Sequence, residues 1–292
     1  MKARADTSRS HALRGAPLVL LGATVIQWSA AVVRPAFVTI GPGGASAGRF
    51  LFGAVVLVAL TRPKVRRWNQ QQWLGAVALG VTVAVMNLSF YQAIARIPLG
   101  GAVAIEYMGP FLVAALAKRS LRHFALVTLA ALGVLALSRP GGGITLAGAL
   151  FAVLAGVCWG AYTFASHRLG DITSGFEGLA VAMAIAALVT LPFGLGAVHQ
   201  LADHPSLLAR LALVGVMATV LGFGFEMQAL RHLKPSIVSV LLALDPAVAF
   251  LIGWLLLSER VTSWDLVGLA CVVIAGVGVT YDAAKEDLKI GL

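Results

Sequence analysis

Charge is scarce in this chain. Lys, Arg, Asp and Glu make up 12% of its 292 residues, against about 25% in soluble domains. Hydrophobic residues make up 59%, more apolar side chain than one soluble core of this size can hide. Cysteine is nearly absent. Cys158 and Cys271 both sit in apolar runs, which excludes a disulfide framework and any Cys-based metal spacing. No Walker A lysine motif is present, so ATP is not an expected energy source for this chain alone. Gly44-Ala45-Ser46-Ala47-Gly48 matches G-x-S-x-G, but the strand that a nucleophile elbow needs is missing. Gly222 and Gly224 lack the third glycine and the acidic follower of a dinucleotide loop. His167, His199, His204 and His232 fall at the ends of apolar runs or between them. No catalytic pair is therefore set at matched depth, and no enzyme, cofactor or metal is expected.

What the chain does have is apolar runs of spanning length. About 20 mostly apolar residues cross a bilayer as a helix. Ten such runs occur, at 17–36, 44–61, 72–95, 98–117 and 122–138, then 144–166, 175–197, 207–230, 235–257 and 262–281. Barrel strands would alternate apolar and polar residues, and stretches such as 126–137 do not. Helices satisfy every backbone group internally, as lipid requires. The basic residues before Pro17 resemble a signal n-region, but nine more runs follow. The first run is therefore read as a spanning helix.

The net charge of +10 is topological rather than a nucleic-acid footprint, because the basic residues form short clusters between apolar runs. With the N-terminus inside, sixteen Lys and Arg fall on the cytoplasmic side and six outside. That imbalance places both termini in the cytoplasm.

An internal repeat organises the runs. Gln92-Ala93 matches Gln228-Ala229, and Pro110 matches Pro246, at a common offset. Leu126-Val127 matches Leu266-Val267 further on, and Trp28 in Gln-Trp-Ser-Ala resembles Trp159 in Cys-Trp-Gly-Ala. Five helices is an odd number, so the second half must enter from the opposite side, as in many secondary transporters. The expected architecture is an all-α integral membrane protein of ten transmembrane helices, arranged as two inverted five-helix repeats. A cytoplasmic tail at 1–16 precedes the first repeat, 17–138. A linker at 139–143 leads to the second repeat, 144–281, and a tail at 282–292 follows.

Several stretches carry a family likeness. They are Arg49-Phe50-Leu51-Phe52-Gly53, Ile97-Pro98-Leu99-Gly100 running into Glu106-Tyr107-Met108-Gly109-Pro110, Cys158-Trp159-Gly160-Ala161-Tyr162, and Asp245-Pro246-Ala247 with Leu257-Ser258-Glu259-Arg260. Over nearly its full length the chain resembles the EamA branch of the drug/metabolite transporter superfamily. Within it the chain is most similar to the bacterial threonine/homoserine exporters. It departs from them at Asp245, where Glu is expected, and at Ser258, where the branch often has Gly. The resemblance implies a bacterial inner-membrane location and export of small hydrophilic metabolites driven by the proton gradient.

Ionisable residues inside a span are costly and therefore candidates for function. Glu106 sits near mid-depth of the fourth run, with Pro110 one turn later on the same face. That proline deprives the Glu106 carbonyl of its N–H partner. A carboxylate and a free carbonyl together suit an ammonium group or a proton; the alternative is a Glu bonded to a neighbouring helix. Asp245 lies at similar depth in the ninth run, directly before Pro246. It serves either as the partner of Glu106 across a central cavity or as a local relief of the helix break. Glu226, near a helix end, fits pairing with Arg231 or Lys234. Glu259 reads as an end or gate residue, and Arg34 and Arg49 as mouth residues that attract a carboxylate or anchor in headgroups. Tyr107, Tyr162, Trp28 and Trp159 line a path or pack between helices. Gln92 and Gln228 bond substrate or bridge helices. Gly156 and Gly160 form a small-xxx-small pattern that fits internal packing or a homodimer contact.

The expected function is a proton-coupled secondary transporter exporting small amino acids or related metabolites. Its partners would be a small-molecule substrate, the lipid bilayer and the proton gradient. The alternatives are another cargo on the same scaffold, a structural membrane protein or an intramembrane enzyme.

Overall fold

The computed structural model describes residues 2–109, 121–137, 143–173, 175–222, 225 and 241–290. Every regular element among them is helical. The order is α1 (Lys2–Val33), α2 (Phe37–Thr61), α3 (Gln70–Ile94), α4 (Leu99–Glu106), α5 (Leu121–Leu137), α6 (Leu146–Ile172), α7 (Glu177–Gly194), α8 (Val198–Asp203), α9 (Pro205–Val216), α10 (Asp245–Leu257) and α11 (Ser263–Ile290). A π-helical turn, Met217–Gly222, extends α9.

Among the described residues, five helical segments are long and apolar enough to cross a membrane: Pro17–Thr61, Gln70–Ile94, Leu146–Ile172, Glu177–Asp203 and Pro205–Gly222. Large apolar side chains point outward from them and from the shorter helices. Val38 is 93% exposed, Leu146 77% and Phe124 71%. Water does not tolerate an apolar surface of this extent on a monomer, whereas lipid does.

Two expected boundaries shift. The stretch 37–43, expected as a connection, is helical and broken at Gly41 (φ 69°, ψ 164°). Glycine tolerates that left-handed φ, and Pro42 withholds an N–H from the preceding turn. The ninth run is not one helix where it is described, since a turn at 243–244 precedes a fresh start at Asp245. Pro246 sits in the first turn of α10, where its missing N–H has no partner to lose. Of the fourth run, α4 and the turn at Tyr107 are described. Pro110, Gln228, Glu226 and most of the linker lie outside the described residues.

The chain forms two compact units. One comprises Met1–Trp28, Pro98–Ile144 and Leu221–Leu292; the other comprises Ser29–Ile97 and Thr145–Val220. Each draws on both sequence halves. In the first unit, α4 packs on α10 and α5 on α11. The α5–α11 crossing is closest at Gly133 and Gly268: a Cβ on either would lie 2.7 Å from the other's carbonyl oxygen. In the second unit, α2 packs on α7 and α9, and α3 on α6 and α7. Gly80 plays the same part there, with Ala182 O 2.6 Å from where its Cβ would stand.

Candidate functional site

Asp245 opens α10 and is 6% exposed. The N-cap position belongs to Leu244, which makes no side-chain cap bond. Asp245 Oδ2 instead accepts from two distant side chains, Gln27 Nε2 at 2.9 Å and Tyr107 Oη at 3.0 Å. Gln27 comes from α1 and is 3% exposed; Tyr107 follows α4 and is also 3% exposed. Three segments far apart in sequence thus meet at one carboxylate oxygen. The position is electrostatically apt, because the first turn of a helix carries unsatisfied N–H groups and the positive end of its dipole. Glu106, 8% exposed, ends α4 beside Tyr107.

Gln27 has a second property. Its Oε1 is buried and has no hydrogen-bond partner among the described residues. A buried acceptor left unsatisfied costs about 1–3 kcal/mol. The sequence reading passed over Gln27 in favour of its neighbour Trp28, which is half-buried. The available signal was an amide eleven residues into an apolar run.

The other end of the α4–α10 pair holds a second carboxylate. The backbone N–H of Leu99 donates to both oxygens of Glu259, at 2.9 and 3.1 Å. Pro98 precedes it and offers no side-chain cap, so Glu259 caps α4 from 160 residues away. The chain reaches this position through Ser258, which adopts a left-handed conformation (φ 52°) to end α10. Gly253 lies directly against the Glu259 carboxylate. Because Tyr107 meets Asp245 and Leu99 meets Glu259, the two helices run antiparallel. Asp265, also buried, closes a capping box with Thr262 at the start of α11.

The remaining candidates belong to the second unit. Arg34 Nη2 donates to Ile97 O at 3.4 Å. Arg49 lies within α2, with Nη1 3.4 Å from Tyr91 Oη. Gln92 takes a bond from Arg96, which also donates to the Gln92 carbonyl at 2.7 Å and lies 5.1 Å from the Phe151 ring centre. This is a pair four residues apart on one helix, not a bridge to a neighbour. Trp159 and Tyr162 are half-buried on α6. No group of three or more metal-ligating side chains forms among the described residues.

Comparison with known proteins assigns the lineage. The threonine/homoserine exporter RhtA of Escherichia coli (strain K12) is 32% identical over 273 residues, covering 92% of each chain. The profile of the EamA-like transporter family matches residues 146–281. The chain belongs to the EamA-like transporter family. The RhtA of Salmonella typhimurium (strain LT2) is 32% identical over 272 residues, again with 92% of each chain. A solved crystal structure aligns with a TM-score of 0.59 at 19% identity, over 92% of this chain and 98% of its own, a likeness of fold. Membership makes the protein a membrane transporter of small molecules and bears out the resemblance read from the motifs. Among the described residues of this EamA chain, Asp245 and Glu106 are buried acids of the first unit.

Proposed function

We propose that the protein is a secondary transporter that exports small amino acids of the threonine/homoserine kind from the bacterial cytoplasm, driven by the proton gradient. The observation that carries this reading is the buried Asp245 carboxylate, held by Gln27 and Tyr107 at a helix break. A substrate ammonium or a proton can replace either neutral donor at such an oxygen, and exchange between the two couples their movements. The printed names of the relatives support the cargo class. The packing supports ten spans in two inverted repeats: α2–α7, α4–α10 and α5–α11 each pair a helix with its expected counterpart in the other half, and the α4–α10 pair is antiparallel. The inner membrane, with both termini cytoplasmic, fits the distribution of Lys and Arg.

The test is efflux of radiolabelled threonine and homoserine from proteoliposomes, with and without a pH gradient. The parent should show gradient-dependent flux. Asp245→Asn and Glu106→Gln should lose the gradient dependence. Parental flux in both variants under the same gradient would refute the coupling role of these acids. Absence of flux in the parent would refute the cargo.

A further inference from the structure

Among the described residues, the second unit contains a cation without a counter-ion, Arg49. Arg49 lies twelve residues from either end of α2 and eight beyond the break at Gly41. Among the described residues, its Nε is buried and unbonded, and Nη1 reaches only the neutral Tyr91 hydroxyl. The acids of this unit are Asp171, Glu177 and Asp203, all within a residue of a helix end. None of them pairs with Arg49 among the described residues. The segment 29–97, which contributes both α2 and α3, contains no acid at all. The Phe50 and Tyr91 rings lie 5.7 and 5.8 Å from the guanidinium carbon. Cation–π attraction of this kind offsets only part of the cost of an unpaired charge in a spanning helix.

The surroundings are shaped for a polar guest. One turn before Arg49, Ser46 donates to Asn87 at 2.8 Å, with both residues buried. Asn87 and Tyr91 share a face of α3, so the two helices meet along a polar seam. One turn after Arg49, Thr219 Oγ1 lies against Gly53, buried and unbonded. It sits in the π-helical turn, a geometry common at functional sites. Two buried polar atoms in one unit thus lack partners beside the same stretch of α2.

We propose that Arg49 is the receptor for the substrate carboxylate, with Tyr91 as its positioning residue. The planar fork of the guanidinium matches a carboxylate through two parallel hydrogen bonds. Lysine offers the charge without the fork. This inference rests on the amino-acid reading for the identity of the carboxylate's owner, not for the anion site itself.

The test uses the purified full-length protein in detergent, with two readouts: thermal unfolding and binding of radiolabelled homoserine. The probes are sodium acetate against sodium chloride at equal ionic strength, and homoserine against its carboxamide. Acetate and homoserine should raise the parent's Tm and the carboxamide should not. R49Q should weaken homoserine binding at least about tenfold, the loss expected of one charge-assisted hydrogen bond, and should abolish the acetate response. R49K should fall between the two, and Y91F should weaken binding severalfold with the response to acetate retained. If R49Q does not fold, R49K and Y91F decide by the same criteria. Parental homoserine affinity in R49Q or R49K, with the carboxyl preference intact, overturns the Arg49 assignment and leaves amino-acid export standing. A parent indifferent to acetate and homoserine alike also overturns it. An Arg49-dependent acetate response without homoserine binding supports the anion site and refutes the amino-acid cargo.

Discussion

Replacing Gln27 with leucine separates transport from stability. Two terms oppose each other in the folded protein. Gln27→Leu removes the 2.9 Å bond from Nε2 to the Asp245 carboxylate, worth about 1.5–3 kcal/mol as a bond to a charged group. It also removes the buried Oε1 that has no partner, relieving a cost of about 1–3 kcal/mol. Leucine is close in volume and apolar, so little cavity forms. The net change in stability is therefore small, within about 1–2 kcal/mol, and Tm in detergent should move by about 5 °C or less. Transport has no such compensation. The carboxylate keeps Tyr107 but loses its second anchor, and the acceptor that would receive a substrate N–H or O–H is gone. The KM for homoserine in proteoliposome efflux should rise about tenfold or more. Two results would refute the reasoning. Parental KM would make Gln27 a packing residue, and a fall in Tm well beyond that range would make its bond to Asp245 a structural tie.

Further perturbations test the rest of the first unit. Glu259→Ala leaves the Leu99 N–H without a partner and should lower stability by about 1–2 kcal/mol, while Glu259→Gln keeps an acceptor and should lose less. Both should hold their homoserine KM within about threefold, and a large KM rise in Glu259→Gln would make Glu259 a gate instead. Gly133→Leu forces α5 and α11 apart, because even its Cβ would lie 2.7 Å from Gly268 O, so the purified yield of folded protein should collapse. Gly170→Ala on α6 meets nothing within 4 Å and should leave Tm level or slightly higher, the helix propensity of alanine being greater. Equal behaviour of the two glycine variants would refute the close crossing.

Membrane class, helicity and family were legible because each is written in local composition or contiguous motifs. Asp245 and Glu259 were legible because a charge in an apolar run stands out. Their partners were not, because Gln27 lies 218 residues from Asp245 and Leu99 lies 160 from Glu259, and no local spacing encodes such pairs. Arg49 reads in the sequence as flanking a loop because Gly41 and Pro42 are loop residues by composition. The structure breaks the helix there and begins it at Phe37. Gln92 drew attention through its repeat partner Gln228, but the nearer arginine four residues on takes its side chain. A long cation at that spacing is a strong local competitor for any polar group.

The two acids at the ends of the α4–α10 pair look alike in sequence and differ in what they leave available. Both Glu259 oxygens receive the backbone N–H of Leu99, a donor fixed in the chain and orphaned if the acid leaves. No substrate can displace it without exposing a helix end. Asp245 Oδ2 receives two side-chain donors, each on a rotatable group that can turn away and bond elsewhere. The helix break that starts α10 leaves the carboxylate at the positive end of a half-helix, where a negative charge is favoured whether or not its donors are in place. A carboxylate oxygen whose donors are rotatable side chains can exchange them for another donor, as the proposed uptake and release of an ammonium or a proton requires. The antiparallel pair thus ends in one acid bonded by the backbone of α4 and one bonded by two side chains.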